Sequence, residues 1–426
     1  MRQKVFFQRL RICLFTVTLG VGFILGLILP LRPAVSESEG RELTHFPRVT
    51  LASLLSGEFT AGISQWYADT YPCREELMGA SHTLKGLYGI GSGDFSGYDG
   101  VVDTIDPEHE FVWAHKPLRG YMPPAEAVDG YYIEGDTCWQ LYFYKRNLTD
   151  RYSRVVVQAA LELEGVATVY SMVVPTACCY GLTPEKLAEL GASNGLLAVE
   201  HIYDAIRAYS PQAGVETPVV ILPVHEELAR HTEEELYFRT DHHWTATGAY
   251  YASRYFLNAV GRPYPPLEAY DTFTYDTFLG SLYRHTNNEG LKAHPDTLTA
   301  YLSPTVTELI VESKGERRTV PLIHRGITSS NKYLAFCSGD HAYYEVHNDR
   351  MTDGSAVLIV RESYGNAFIP LLADSYEYVY AVDYRFWEGD LAELARVKGV
   401  DTVLFLNNLM ATGDSYTVSC LERLME

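Results

Sequence analysis

The hydrophobic pattern changes character several times along the chain. Residues 12–31 form an uncharged apolar run of 20 residues, the length of a helix that crosses a bilayer. Arg2, Lys4, Arg9 and Arg11 precede it and no acidic residue does. The excess of positive charge predicts residues 1–11 in the cytoplasm and everything after residue 31 outside. A cleaved signal peptide is the competing reading, but its apolar region is usually ~7–15 residues and ends in small residues. Leu31-Arg32-Pro33-Ala34-Val35 makes a poor cleavage site, so the expectation is a single-pass anchor with an extracytoplasmic main domain.

Residues 32–100 read as a polar stalk followed by helices, with Phe59, Ile63, Trp66 and Tyr67 spaced for one face between 51 and 87. Residues 89–100 are Gly-rich, and 101–147 are irregular or hairpin-like. From 148 to 426 apolar strands alternate with amphipathic helices. Strands are expected at 167–175, 218–224, 332–338, 356–360, 378–382 and 402–406. Helices are expected at 151–164, 184–190, 196–209, 245–260, 367–373 and 390–398, with Thr245 or Thr247 as a cap. This alternation predicts an α/β core with a mainly parallel sheet, whose ligands bind at the carboxyl ends of the strands.

Composition narrows the partners. The 426 residues carry a formal charge of −20, which repels nucleic acid and anionic polymers. No basic cluster suited to a phosphate backbone occurs, so no nucleic-acid partner is expected and a neutral glycan suits the surface better. Of seven cysteines, Cys13 falls in the apolar run, and no C-x-x-C spacing suggests a zinc ribbon or redox pair.

The candidate chemistry centres on Thr240-Asp241-His242-His243-Trp244-Thr245. In extended backbone, residues two apart share a side. Asp241 can then hold one nitrogen of His243 and leave the other to accept a hydroxyl proton, while His242 points away. Trp244 could shield a site or stack on a sugar, or simply pack in the core. The same stretch also reads as a helix start, or as a metal site, Asp and His being ordinary ligands.

Downstream, residues 356–368 read as strand, sharp turn and helix, with Ser363 in the turn. A serine there is a nucleophile beside a helix N-terminus that stabilises an oxyanion, or else an N-cap. Gly365 permits tight backbone, and Gly339, in a second strand-end loop, is an oxyanion donor or a turn glycine. Arg385 and Trp387 follow the next strand, as cleft-lining residues or as a surface ion pair and a packing aromatic.

These motifs resemble the DHHW family of bacterial cell-envelope proteins, related to the SGNH-hydrolase-like alginate O-acetyltransferases. The resemblance rests on Glu39 to Pro47, Trp66 to Arg74, Tyr237 to Thr245 with Gly248-Ala249-Tyr250, Glu362-Ser363-Tyr364-Gly365-Asn366 and Asp383-Tyr384-Arg385. It implies a three-layer α/β core with Ser363 as nucleophile, His243 as base and Asp241 as orienting acid, acting without metal or cofactor. It further implies acyl transfer to or from an envelope polysaccharide, with a membrane-bound O-acyltransferase as acetyl donor. Two departures stand out. Glu362 replaces the Asp that precedes the serine in relatives. Asp340 follows Gly339 where the SGNH fold presents an Asn, and an ionised Asp cannot donate, leaving oxyanion donation to backbone N–H groups and Asn366. The alternative is a non-catalytic glycan-binding or scaffolding protein on a decayed triad.

Overall fold

A computed structural model describes residues 130–425 continuously, residues 126–128, and, nearer the N-terminus, 32, 35–36, 41–42, 45–47, 49–50 and 58–72. The apolar run at 12–31 and the Gly-rich stretch at 89–100 lie outside the described residues. Among the described residues no helix is long and apolar enough to cross a membrane. The chain divides into two units, Met1–Ile90 and Gly91–Glu426.

In the first unit, strands β1 (Val35–Ser36) and β2 (Arg41–Glu42) pair antiparallel, and helix α1 spans Glu58–Asp69. Trp66 anchors this unit. The Arg32 guanidinium lies 3.7 Å over its ring, and Phe46 meets it edge-on at 4.9 Å.

The second unit is a mixed α/β fold around a large sheet. A three-stranded meander comes first, β3 (Glu126–Val128), β4 (Tyr131–Glu134) and β5 (Thr137–Gln140). It falls in the stretch expected to be hairpin-like. The main sheet has eight strands in the order β11-β10-β12-β14-β13-β15-β6-β7. Five run parallel, β6 (Thr168–Val174), β7 (Val220–Ile221), β13 (Ala356–Arg361), β14 (Tyr378–Asp383) and β15 (Thr402–Asn408). Three antiparallel strands extend the β14 edge, β12 (Tyr343–His347), β10 (Glu308–Ser313) and β11 (Glu316–Pro321). Side chains of a strand alternate between faces, so a strand buried at every position is covered on both. Ala356-Val357-Leu358-Ile359-Val360-Arg361 is such a strand, which is why residues 356–360 read as an unbroken apolar run.

Two helix groups supply the cover. Helices α2 (Arg146–Glu162), α3 (Gly195–Ala213) and α7 (Ser415–Arg423) form one; α3 and α7 each pack against α2. Helices α4 (Ala246–Ala259) and α5 (Gly365–Leu372) pack on each other, and the short helix Val224–Ala229 packs on α4. Helix α6 (Leu391–Lys398) connects β14 to β15, capped by Asp390. Thr245 caps α4, its hydroxyl accepting from the Gly248 N–H at 3.2 Å.

Three stretches differ from the sequence expectation. Residues 332–338 are not a strand. They form a 3-10 turn at Lys332–Ala335, and then Cys337, Ser338 and Gly339 all take positive φ, at 53°, 60° and 96°. Two successive non-glycine residues in that region are strained by ~1–2 kcal/mol each, and extended pairing stops there. The expected strand 218–224 shortens to two residues, because Pro223 ends it and a helix begins at Val224. The hydrophobic pattern also gives no sign of two antiparallel pairs. One is β8 (Asp271–Phe278) with β9 (Asp296–Leu302), separated in the chain by two short helices, and the other is the β10–β11 hairpin. Most of β8 and β11 is exposed or half-exposed, so these strands lack the apolar signature. The β10–β11 turn is marked instead by Lys314 and Gly315, both at positive φ, the signature of a two-residue primed turn.

Candidate active site

Strand β13 ends at Arg361 and α5 begins at Gly365, so Glu362, Ser363 and Tyr364 make the turn between them. Glu362 holds that turn. Its buried carboxylate accepts the N–H of Tyr364 at 2.9 Å and of Asn408, at the end of β15, at 2.7 Å. Burial nevertheless pushes its pKa above the ordinary carboxylate value. The longer side chain therefore braces the serine turn against the neighbouring strand. Gly365 is required by close approach, since a Cβ there would fall 2.6 Å from the Arg361 side chain.

Asp241 and His243 sit in a loop closed by a Tyr237–Trp244 bridge and by the Thr245 N–H bond to the Leu236 carbonyl, 2.9 Å. The backbone here is bent, not extended as expected. Asp241 Oδ1 accepts the His243 backbone N–H at 3.0 Å, closing an Asx turn, and lies 2.6 Å from His243 Nδ1. Its other oxygen accepts the Ser281 N–H at 2.7 Å. Burial disfavours the charge on Asp241, but His243 and these hydrogen bonds outweigh it and hold the carboxyl well below its usual range. Thr240 anchors the loop through Asp296, which accepts its N–H at 2.8 Å and its hydroxyl at 2.6 Å.

The two halves meet. His243 Nε2 lies 2.8 Å from Ser363 Oγ across 120 residues of sequence. Tyr333 stacks on the imidazole with ring centroids 3.8 Å apart and planes 10° apart, fixing its plane. The Tyr333 hydroxyl is buried without a hydrogen-bond partner among the described residues. Ser363 opens into a cavity of about 560 Å³ at the carboxyl ends of the parallel strands, within the usual size for a small-molecule site. Thr176, His242, Glu362, Arg385 and Asn408 line it together with the meander and the segment 410–417.

The remaining candidates separate. Arg385 lines the cavity and is oriented by two carboxylates, Asp383 (Nη2 to Oδ2, 2.6 Å) and Asp340 (Nη2 to Oδ2, 2.9 Å). Asp340 is thus a positioning residue; burial opposes its charge, but Arg385 and Arg361 hold its carboxyl below the usual range. The Asn366 amide donates to Asp340 Oδ1 at 2.7 Å, so it is committed to this network. The Gly339 N–H is taken by the Phe336 carbonyl at 3.0 Å and the Gly365 N–H by the Glu362 carbonyl at 2.9 Å. Neither is available as an oxyanion donor, because each closes a turn. Trp244 is fully buried, stacks on Phe368 and donates Nε1–H to the Tyr364 carbonyl at 3.0 Å; it is a core residue and not a cleft wall.

Sequence reasoning set His242 aside, yet it lines the cavity, its ring 3.8 Å from that of His243 and its Nδ1 on Ser281 Oγ. The bend at 241–243 turns both imidazoles the same way. Tyr333 was missed as well, and no local signal identifies it, because only the fold brings it to His243. Asp241, His242 and His243 offer ligand atoms within 4.8 Å of one another, the group that a metal reading needs. Asp241 is already engaged by His243 and Ser281, and His242 Nδ1 by Ser281.

A large mixed sheet with helices on it and a polar cavity at the carboxyl ends of its parallel strands defines an α/β protein of the kind that binds its ligands at those ends. The chain belongs to the DHHW family, whose profile matches residues 39–112 and 122–382. Among solved structures it is similar to a DHHW family protein from Eubacterium siraeum, at 25% identity over 71% of this chain and 98% of that one, TM-score 0.62. It also shares its fold with Bacillus cereus PatB1 carrying a sulfonyl adduct, at 16% identity over 67% of this chain and 96% of that one, TM-score 0.53. The structure of PatB1 alone aligns at 17% identity over 69% and 98%, TM-score 0.51. No curated protein matches the chain.

Proposed function

We propose that this protein is a membrane-anchored, extracytoplasmic acyltransferase or esterase acting on O-acetyl groups of a cell-envelope polysaccharide through a Ser–His–Asp triad on a three-layer SGNH-hydrolase-like core. The observation that carries the reading is the hydrogen-bonded chain Asp241–His243–Ser363, which ends in the cavity. Asp241 holds the His243 Nδ1 proton and leaves Nε2 to accept from the serine. Ser363 Oγ attacks the acetyl carbonyl as its proton passes to Nε2. The bond to the donor oxygen breaks as His243 returns that proton to the leaving alcohol. The acetyl-serine is then attacked by a sugar hydroxyl, giving O-acetylation, or by water, giving hydrolysis. Arg385, held by Asp340 and Asp383, lines the same cavity as Ser363 and is the cation assigned to the developing oxyanion.

Transfer to a glycan outside the membrane needs an acetyl donor, and a membrane-bound O-acyltransferase fits that need by family analogy. The apolar run at 12–31 supports the anchor; protease access to intact cells tests it, and a protected main domain would contradict it. The chemistry is tested with the full chain and a chromogenic acetyl ester. Ser363→Ala should abolish turnover, and a sulfonyl fluoride, chosen because PatB1 carries a sulfonyl adduct, should label Ser363 in the parent and not in the variant. Equal turnover in both proteins would leave the non-catalytic glycan-binding reading.

A further inference from the structure

Two imidazoles besides that of the triad line the cavity, His242 and His285, and one residue between them, Ser281, sets both. Ser281 Oγ accepts the His242 backbone N–H at 3.2 Å and also meets His242 Nδ1. The serine hydroxyl hydrogen has no other acceptor among the described residues, so it goes to Nδ1, and the ring proton of His242 sits on Nε2. Burial first, then His243, keep this imidazole uncharged by pushing its pKa down to about 3. His285 belongs to the short helix Ser281–Thr286, and its Nδ1 lies 2.7 Å from the Ser281 carbonyl. A carbonyl only accepts, so Nδ1 carries the proton there and the neutral ring keeps a bare Nε2. Neither Nε2 has a protein partner among the described residues. This wall is pinned to the triad loop. The Tyr283 N–H donates to the Thr240 carbonyl and the Cys138 N–H to the Arg239 carbonyl, each at 3.0 Å. Leu282 shares a small apolar cluster with Ile133 and Cys138 of the meander, and the His242 ring lies 3.8 Å from that of His243.

We propose that His242 and His285 form the subsite for the acceptor sugar, His242 Nε2–H donating to one hydroxyl and His285 Nε2 accepting from it or from its neighbour on the ring. The proposal rests on the acyl-transfer reading for its purpose, though not for its test. A donor and a bare acceptor held by one serine match a hydroxyl, which does both. They mismatch a carboxylate, which would bond to His242 but set its lone pairs against His285 Nε2. Tyr131 lines the same wall, its ring centroid 5.8 Å from that of His285, and offers an apolar surface for the C–H side of a sugar. A sugar bound there shares the cavity with Ser363 and can present a further hydroxyl to the acetyl-serine, with His243 next to His242 to take its proton. The ligand class is an uncharged saccharide with adjacent free hydroxyls, and the formal charge of −20 acts against a polyanion.

The test measures binding of the neutral oligosaccharides cellohexaose and chitohexaose to the full chain in the Ser363→Ala background, so that turnover plays no part. His242→Phe with His285→Phe keeps two rings and removes the polar tips. It should weaken the dissociation constant of the better ligand about tenfold, equivalent to ~1.4 kcal/mol. Heteronuclear NMR of labelled histidine rings gives a second measurement that needs no substitution at the subsite and so does not depend on how the double variant folds. Without ligand it should show His242 protonated at Nε2 and His285 at Nδ1, and added oligosaccharide should move both Nε2 signals. Unchanged affinity in the double variant would overturn the subsite, as would no binding of either ligand in the Ser363→Ala background. Binding that leaves both Nε2 signals in place, or a His242 proton found on Nδ1, would overturn it too. Loss of ester turnover in Ser363→Ala bears on the triad alone, so the two readings fail separately.

Discussion

Gly280 and Asp241 are in contact that leaves no room for a side chain: a Cβ on Gly280 would fall 2.1 Å from Asp241 Cβ and 2.4 Å from its Oδ2. Asp241 cannot yield without losing the Ser281 N–H and the His243 ring. Gly280→Ala should therefore displace the carboxylate by about an ångström and lower kcat by about 10²-fold, although Gly280 touches no reacting atom. Ester hydrolysis measured beside circular dichroism checks this; full activity in a folded variant would show that Asp241 is not needed where it stands.

Asp241→Asn separates orientation from charge. The amide oxygen can still accept the His243 backbone N–H and preserve the Asx turn, at the cost of the Ser281 N–H bond, but it no longer stabilises a charged imidazole. On the proposed mechanism kcat should fall by ~10³–10⁴-fold with KM little changed. An Asn variant within tenfold of the parent would remove Asp241 from the mechanism.

Tyr333 offers a test of opposite sign. Its ring fixes the His243 plane, while its buried hydroxyl has no hydrogen-bond partner among the described residues. An unpaired buried hydroxyl costs ~1–3 kcal/mol. Tyr333→Phe should keep activity and raise the urea midpoint, whereas Tyr333→Ala should lose activity and stability together. Activity lost in the Phe variant would assign the hydroxyl a chemical role.

Where the sequence carried a fold signal, it was the apolar strand run and the cap. Residues 356–361 must be buried on both faces, so they read as a strand, and the serine turn follows from where that strand stops. Asp241 and His243 were legible as a pair because their spacing suffices, although the geometry that joins them is a bend and not extended backbone. Other features had no local signature. Strand β8 is largely exposed, and 332–338 is apolar enough to resemble a strand until Cys337 and Ser338 turn left-handed. Asp340 looked like a lost oxyanion donor because its partners Arg361 and Arg385 lie 21 and 45 residues away.

Glu362→Gln probes the brace beneath the nucleophile. Both carboxylate oxygens accept backbone N–H groups, and an amide presents an NH₂ group to one of them. The variant should lose ~1–3 kcal/mol of stability and loosen the serine turn, lowering kcat more than it raises KM. Denaturant unfolding and steady-state kinetics measure the two effects; a variant as stable as the parent would show that the turn does not depend on this brace.

Acid stability should fall in a defined window because of His341. Its Nδ1 lies 2.9 Å from Ser313 Oγ, and its Nε2 is buried without a partner among the described residues. Burial first, then Arg318 and Arg361, push its pKa down to about 4. A histidine in the unfolded chain titrates near ~6.5, so between that pH and about 4 the unfolded state holds the extra proton. Stability therefore rises with pH across this window and is lost as pH falls through it, by up to ~1.4 kcal/mol per unit. His242, pushed down to about 3 by burial and by His243, acts in the same direction, moderated by its partial exposure. His341→Gln, which keeps an acceptor for Ser313, should lose up to ~2 kcal/mol less than the parent between pH 6.5 and 5. Urea midpoints at the two pH values decide it: equal losses in parent and variant would mean that His341 carries no share of the acid sensitivity.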